Sequence, residues 1–170
     1  MIKNKENPNE LVVCADRKSR PRWASRSGLC WTYFDHEWGR PPVDLKSLFE
    51  VLTLVVFQVG LTWHAVLAKR EGLKKAFSDF DVHAVATFTE ADVQRLLQDP
   101  QIFRNRRKIE ATMKNAQVLV SLGDSQEHFI SLVEEDITVK ELKQLGFSHI
   151  GPTSLSIIRQ ATGLCAQKPA

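Results

Sequence analysis

From residue 44 onward the apolar residues recur at steps of three and four, and that spacing restricts the chain to packed helices. Leu45, Leu48, Phe49, Leu52, Val55, Val56 and Val59 line one helix face behind an N-cap at Asp44. Gly60 interrupts this helix. Thr62 can cap a second, which carries Trp63, Val66, Leu67 and, a turn further on, Leu73. Thr89 with Asp92, and Thr138 with Glu141, read as capping boxes, each an acid three residues after a hydroxyl cap. Ser125 opens a helix through Val133, and Gly146 would end the short one that follows. Pro152 begins the last helix and Gly163 stops it. No run alternates as a strand does. The expectation is an all-α fold with short connections between roughly eight helices.

A chain of 170 residues suits one domain. Residues 1–20 hold Lys3, Lys5, Arg17, Lys18 and Arg20 with little apolar periodicity, so they read as a flexible extension before a helical domain over 21–170. With 43% hydrophobic and 25% charged residues, a disordered chain is excluded. The most apolar run, Val51 to Val59, is broken by Thr53 and Gln58. It falls far short of the roughly 20 residues that span a bilayer. The polar start has no signal-peptide core, so a cytoplasmic protein with no membrane partner is expected. Cys14, Cys30 and Cys165 form no C-x-x-C pair and read as thiols. A net charge of +3 excludes a polycation but leaves room for a local basic face.

Two features carry chemistry. Trp23, Trp31, Tyr33, Phe34 and Trp38 crowd into sixteen residues, and this Trp- and Gly-rich tract reads as loop. Its rings either plug one side of the core or form a stacking pocket for a flat ligand such as a base. Asp35, His36 and Glu37 lie in the same tract, with either acid–base potential or turn-stabilising roles. The second feature is Arg104-Asn105-Arg106-Arg107-Lys108, with Lys114 beyond it. It follows the turn Asp99-Pro100-Gln101 and opens a helix. Arginines beside the free N–H groups of a helix start suit a phosphate; a solvated helix face is the plainer reading. Lys69, Arg70, Lys74 and Lys75 make another basic cluster, while Glu127, Glu134, Glu135 and Asp136 gather acid elsewhere. Such asymmetry fits a nucleic-acid footprint.

These residues resemble the DNA-3-methyladenine glycosylase I family of base-excision repair enzymes. The matching segments include Tyr33-x-Asp35-x-Glu37-Trp38-Gly39, Gln58-x-Gly60-Leu61-Thr62-Trp63, Lys69-Arg70-Glu71, Phe77-x-x-Phe80-Asp81 and Arg104-Asn105-Arg106-x-Lys108-Ile109. They run in order from Arg22-Trp23 to Gly163-Leu164. The resemblance implies a helix–hairpin–helix glycosylase fold that holds duplex DNA containing alkylated bases near residues 96–115. Arg104, Arg106, Arg107 and Lys108 would contact the DNA. Gly60 and Leu61 would approach where the base leaves, with Leu61 as an apolar wedge. Tyr33 and Trp63 would sandwich the flipped base, with Trp23, Trp38, Val55 and Gln58 completing the pocket. Flipping costs a few kcal/mol and stacking returns roughly 1–3 kcal/mol per base. A 3-alkylated adenine is cationic and already a good leaving group, so little acid–base help is required.

The chain departs from that family in ways that bear on activity. The family's pocket glutamate, eight residues before the sandwiching tryptophan, falls on Val55, which accepts no hydrogen bond. The family's two cysteine and two histidine zinc ligands fall on Pro21, Phe34, Lys168 and a position past Ala170. No metal and no cofactor are therefore expected, with Phe34 packing in the metal's place. Gln101 stands where the hairpin usually has glycine, and the segment from about Glu135 to Lys140 is shorter than the family's. Asp35 and Glu37 are the candidate catalytic carboxylates, with Asp44 nearby, although capping and turn roles explain all three equally well. The leading expectation is a monomeric DNA glycosylase that releases alkylated purines such as 3-methyladenine and leaves an abasic site. The alternatives are a weak or inactive homologue that binds damaged or structured DNA, and a helical scaffold that kept only the fold.

Overall fold

A computed structural model describes residues 6–123, 125–134 and 136–164. Among them the chain forms a short antiparallel hairpin, β1 (Leu11–Val13) with β2 (Ser19–Pro21), and then eleven α-helices. These are α1 (Arg22–Ser25), α2 (Gly28–His36), α3 (Leu45–Gln58), α4 (Trp63–Ala68), α5 (Arg70–Ala76), α6 (Val82–Ala86), α7 (Glu90–Leu97), α8 (Arg106–Ser121), α9 (Gln126–Glu134), α10 (Val139–Leu145) and α11 (Pro152–Thr162). The all-α expectation holds. The helices outnumber those read from sequence because several are only one or two turns long, below the length at which periodicity is visible.

The caps act as the sequence suggests. Asp44 accepts the backbone N–H of Ser47 at 2.7 Å to start α3. Thr89–Asp92 and Thr138–Glu141 are complete capping boxes. Gly146 (φ 104°) and Gly163 (φ 72°) stop α10 and α11 in the left-handed conformation, which costs glycine little. One continuous helix was expected across Trp63–Leu73, but it divides at Lys69 into α4 and α5.

Helix α3 runs through the middle, packed on α4, α8 and α11. Its sequence stripe suggests a single buried face, yet Leu52 through Phe57 are all buried. A helix covered on every side needs apolar residues all round, and its one hydroxyl there, Thr53, donates to Phe49 O at 2.7 Å.

Two expectations are corrected at the N-terminal end. Residues 11–21, almost all within the stretch read as a flexible extension, form the β-hairpin, with Arg20 only 1% exposed beneath it. Its guanidinium reaches both oxygens of Asp16 and both of Asp35 at 2.5–2.9 Å, and lies 4.0 Å from the Trp31 ring centre. Lys3 and Lys5 lie outside the described residues. The aromatic tract is not a loop either. Ser27 caps α2 by accepting from Cys30 N, and Trp31, Tyr33 and Phe34 ride on that helix. At the other end of the chain, Gly39 N donates to Ala161 O at 2.9 Å, and a Cβ on Gly163 would lie 2.6 Å from Gly39 O. The end of α11 thus closes directly on the turn that follows α2.

Candidate functional site

Three short helices and one turn aim their rings at one point. Trp23 comes from α1, Tyr33 and Phe34 from α2, Trp38 from the turn after it, and Trp63 from the first position of α4. Tyr33 and Trp63 stack with centroids 5.5 Å apart and planes 29° apart. Trp23 lies 5.5 Å from Trp63 and 4.8 Å from Trp38. Trp38 meets Trp63 edge-on at 5.5 Å. Phe34 is edge-on to Trp23 at 5.7 Å and stacked on Trp38 at 6.5 Å. Trp31 is separate, held under Arg20. A flat base between Tyr33 and Trp63 requires planes about 7 Å apart, two van der Waals contacts. The pair lies closer than that, so a base enters only as the rings part.

Beside Tyr33 lies a charge cluster that the sequence did not single out. The Arg70 guanidinium sits 5.5 Å from the Tyr33 ring centre. It donates to both oxygens of Glu37 at 2.6 and 2.7 Å, and to Glu50 at 2.5 Å. Burial works against the Arg70 charge, but the two carboxylates outweigh it and push its pKa up. Burial also pushes the Tyr33 hydroxyl well above its usual range, so it remains protonated. A cleft of about 370 Å³ opens beside Tyr33, walled by Leu29, Thr32, Glu37, Leu67 and Arg70. The sequence offered Arg70 only as part of a basic run, because its partners lie 33 and 20 residues earlier.

The candidate carboxylates are all engaged. Asp35 is held by Arg20, which keeps its carboxyl below the usual range. Glu37 is held by Arg70. Asp44 caps α3, and that backbone hydrogen bond lowers its pKa. Val55 is fully buried within the core cluster. Gln58 folds back at the end of α3, its side-chain amide donating to Leu61 O at 3.0 Å while Leu61 N donates to Gln58 O at 2.8 Å. These bonds close a tight turn in which Gly60 takes φ 76°, a value that favours glycine. Thr62 then caps α4 by accepting from Ala65 N at 3.1 Å.

The basic segment divides by position. Helix α7, a turn over residues 98–105 and helix α8 form one unit, with Asn105 capping α8. Arg104 and Arg107 are exposed. Arg106 is occupied by Glu90 and Glu110 at 2.8–3.2 Å, which raise its pKa. Lys108 departs most from expectation. The resemblance groups it with the DNA-contacting cations, but it is 6% exposed and its ammonium donates to Phe57 O and Val59 O, both at 2.6 Å. In the second basic cluster, Lys69 Nζ donates to Pro100 O at 2.9 Å, and Lys74 pairs with Asp79. Gln101 avoids the left-handed region that the glycine expected there from the resemblance would permit. Its carbonyl instead packs on α5, where a Cβ on Gly72 would lie 2.2 Å from it.

A zinc site of the kind the resemblance implies does not fit these residues. Pro21 and Phe34 offer no side-chain ligand atom, and Lys168 lies outside the described residues. Among the described residues no three His, Cys, Asp or Glu side chains converge on a metal position. No helix among them is long and apolar enough to cross a membrane.

Comparison with known proteins places this arrangement in context. A family model described as methyladenine glycosylase matches residues 23–139. The chain is 36% identical to DNA-3-methyladenine glycosylase 1 of Escherichia coli (strain K12), over 84% of this chain and 89% of that protein. It is 30% identical to DNA-3-methyladenine glycosylase of Haemophilus influenzae, over 86% and 92%. A crystal structure of 3-methyladenine DNA glycosylase I superposes with a TM-score of 0.76 at 35% identity, covering 84% of this chain and 91% of that one. The Staphylococcus aureus 3-methyladenine DNA glycosylase I, solved for 3-methyladenine recognition, gives 0.73 at 31% identity, covering 85% and 94%.

Proposed function

This chain belongs to the methyladenine glycosylase family, and on that premise we propose that it hydrolyses the N-glycosidic bond of an alkylated purine, such as 3-methyladenine, in duplex DNA. In this reading it acts as a cytoplasmic monomer and leaves an abasic site. The α7–turn–α8 unit serves as the DNA-binding hairpin, and Arg104 and Arg107 meet phosphates. Leu61 fills the space left by the flipped base, which enters between Tyr33 and Trp63. The reading is carried by that ring pair, which begins one residue after the Gly60–Leu61–Thr62 turn.

The chemistry asks little of the protein. A cationic purine leaves with the bonding electron pair, water adds to the sugar carbon, and its proton passes to solvent. Asp35 and Glu37 are not needed to activate the water in this reading, and each has both oxygens engaged by an arginine. Aromatic faces favour a cationic base over the neutral one, which is the discrimination a glycosylase for such lesions requires.

Two observations favour a second reading, a homologue that binds damaged DNA without excising the base. Val55 offers the base no acceptor, and the Tyr33–Trp63 stack is closed. Incubation with methylated DNA, followed by chromatography of free bases, separates the two. Methylpurine release above spontaneous loss is expected. No release across several lesions, with DNA binding retained, would leave only the second reading.

A further inference from the structure

The geometry points to Lys108 as a positioning residue that holds the Gly60–Leu61 turn in register with the hairpin, not as a ligand for a DNA phosphate. This rests on the DNA-binding reading above and deepens it.

The C-terminal end of α3 has carbonyls with no helical partner, as every helix end does. Lys108 supplies donors to two of them, Phe57 O and Val59 O, at 2.6 Å each. Both flank Gln58, whose side chain and carbonyl close the same turn on Leu61. The turn is therefore gripped twice, by Gln58 from within and by Lys108 from outside. Lys108 belongs to the first turn of α8, and its own N–H donates to the Asn105 cap. Hence one side chain joins the helix start that presents Arg104 and Arg107 to the loop that presents Leu61.

The chemistry suits a clamp. None of the hydrogen bonds of Lys108 goes to a carboxylate. A buried ammonium with no counter-charge is costly, and carbonyl acceptors are what make it tolerable. A phosphate ligand needs its charge at the surface, and this one is buried. Lysine also suits the task better than arginine, because its compact ammonium fits the buried space between two carbonyls, whereas the wider, planar guanidinium would have to push them apart.

The test uses the full chain and a duplex containing one mismatched 2-aminopurine, whose fluorescence rises when it leaves the stack. Wild type, Lys108→Met, Lys108→Arg, Leu61→Ala and the two Lys108 variants in the Leu61→Ala background are compared. Binding is measured across salt concentrations, and circular dichroism confirms folding. If Lys108 positions the turn, both Lys108 variants lose about tenfold in the flipping equilibrium, the worth of a charged hydrogen bond. Their salt slope stays at the wild-type value, and neither variant adds to the loss already caused by Leu61→Ala. If Lys108 instead binds phosphate, Lys108→Met lowers the slope by about one, Lys108→Arg restores it, and the effects add to that of Leu61→Ala. That pattern, or variants that flip like wild type, would overturn the inference. Should Lys108→Met fail to fold, Lys108→Arg carries the comparison. Wild-type protein that neither binds nor flips the duplex would remove the DNA-binding reading itself.

Discussion

Val55 is the residue on which the expected activity turns. It is fully buried on the central helix, and the family resemblance leads one to expect a carboxylate at this position. Val55→Glu brings a polar group into that apolar surround, at a cost of roughly 1–3 kcal/mol while the pocket is empty. Thermal melting should therefore show a lower midpoint. Release of 3-methyladenine by the folded protein should rise, because the base then finds an acceptor. A well-folded variant with flat or lower release would place the pocket elsewhere. Single residues also show where sequence reading stops. Lys108 and Arg107 are adjacent and both cationic, yet one is buried on carbonyls and the other exposed. Their fates differ because helix α8 turns one residue in toward α3 and the next out, a choice set by packing.

Among the elements, the β-hairpin, like the shortest helices, is one that periodicity could not foresee. Two strands of three residues carry too few positions for alternation to register. What holds them in place is the buried Arg20, shared between Asp16 on the hairpin loop and Asp35 on α2. Its hydrogen bond to Asp16 draws that carboxyl down to about 2, and Asp35 is lowered by the same guanidinium. In the unfolded chain both return to the ordinary carboxylate range. Their stabilising contribution is thus complete above about pH 4 and lost as pH falls toward 2. An acid titration followed by tryptophan fluorescence should report this loss, since Trp31 lies against Arg20. Arg20→Met should be less stable at neutral pH and flatter between pH 4 and 2. An unchanged acid profile would remove the clamp from the account. The turn at Ser78–Phe80 makes a similar point. Its three residues take φ of 52–56°, unusual for side chains of their type, and the burial of Phe80 holds them there.

Across the whole molecule, the basic character resolves into used and unused charge. Arg20, Arg70 and Arg106 are committed to carboxylates, and Lys69 and Lys108 to carbonyls. Arg104 and Arg107 are left exposed on the hairpin side. Counterion release then predicts an ordering. Arg107→Ala should reduce the salt slope of duplex binding by about one, whereas Arg106→Ala should change it less, because Glu90 and Glu110 already share that charge. Equal slopes for the two variants would contradict this division of roles. A net charge of +3 concealed it, since the sum does not show which cations are already paired.

By itself the sequence determined what local physics governs. Cap residues, glycines with positive φ and apolar spacing placed most of the longer helices, and the motif spacing carried the family resemblance. Each of these depends on neighbours within a few residues, so it can be read along the chain. Only the tertiary structure decided which rings stack, which arginine each carboxylate meets and which lysine is buried. Trp63 finds Tyr33, Arg70 finds Glu37 and Lys108 finds Phe57 across 30, 33 and 51 positions. Those encounters follow from how α4 and α8 pack on α3 while α2 and α5 pack on α4. Packing of whole helices sets them, and no short stretch of sequence contains that information.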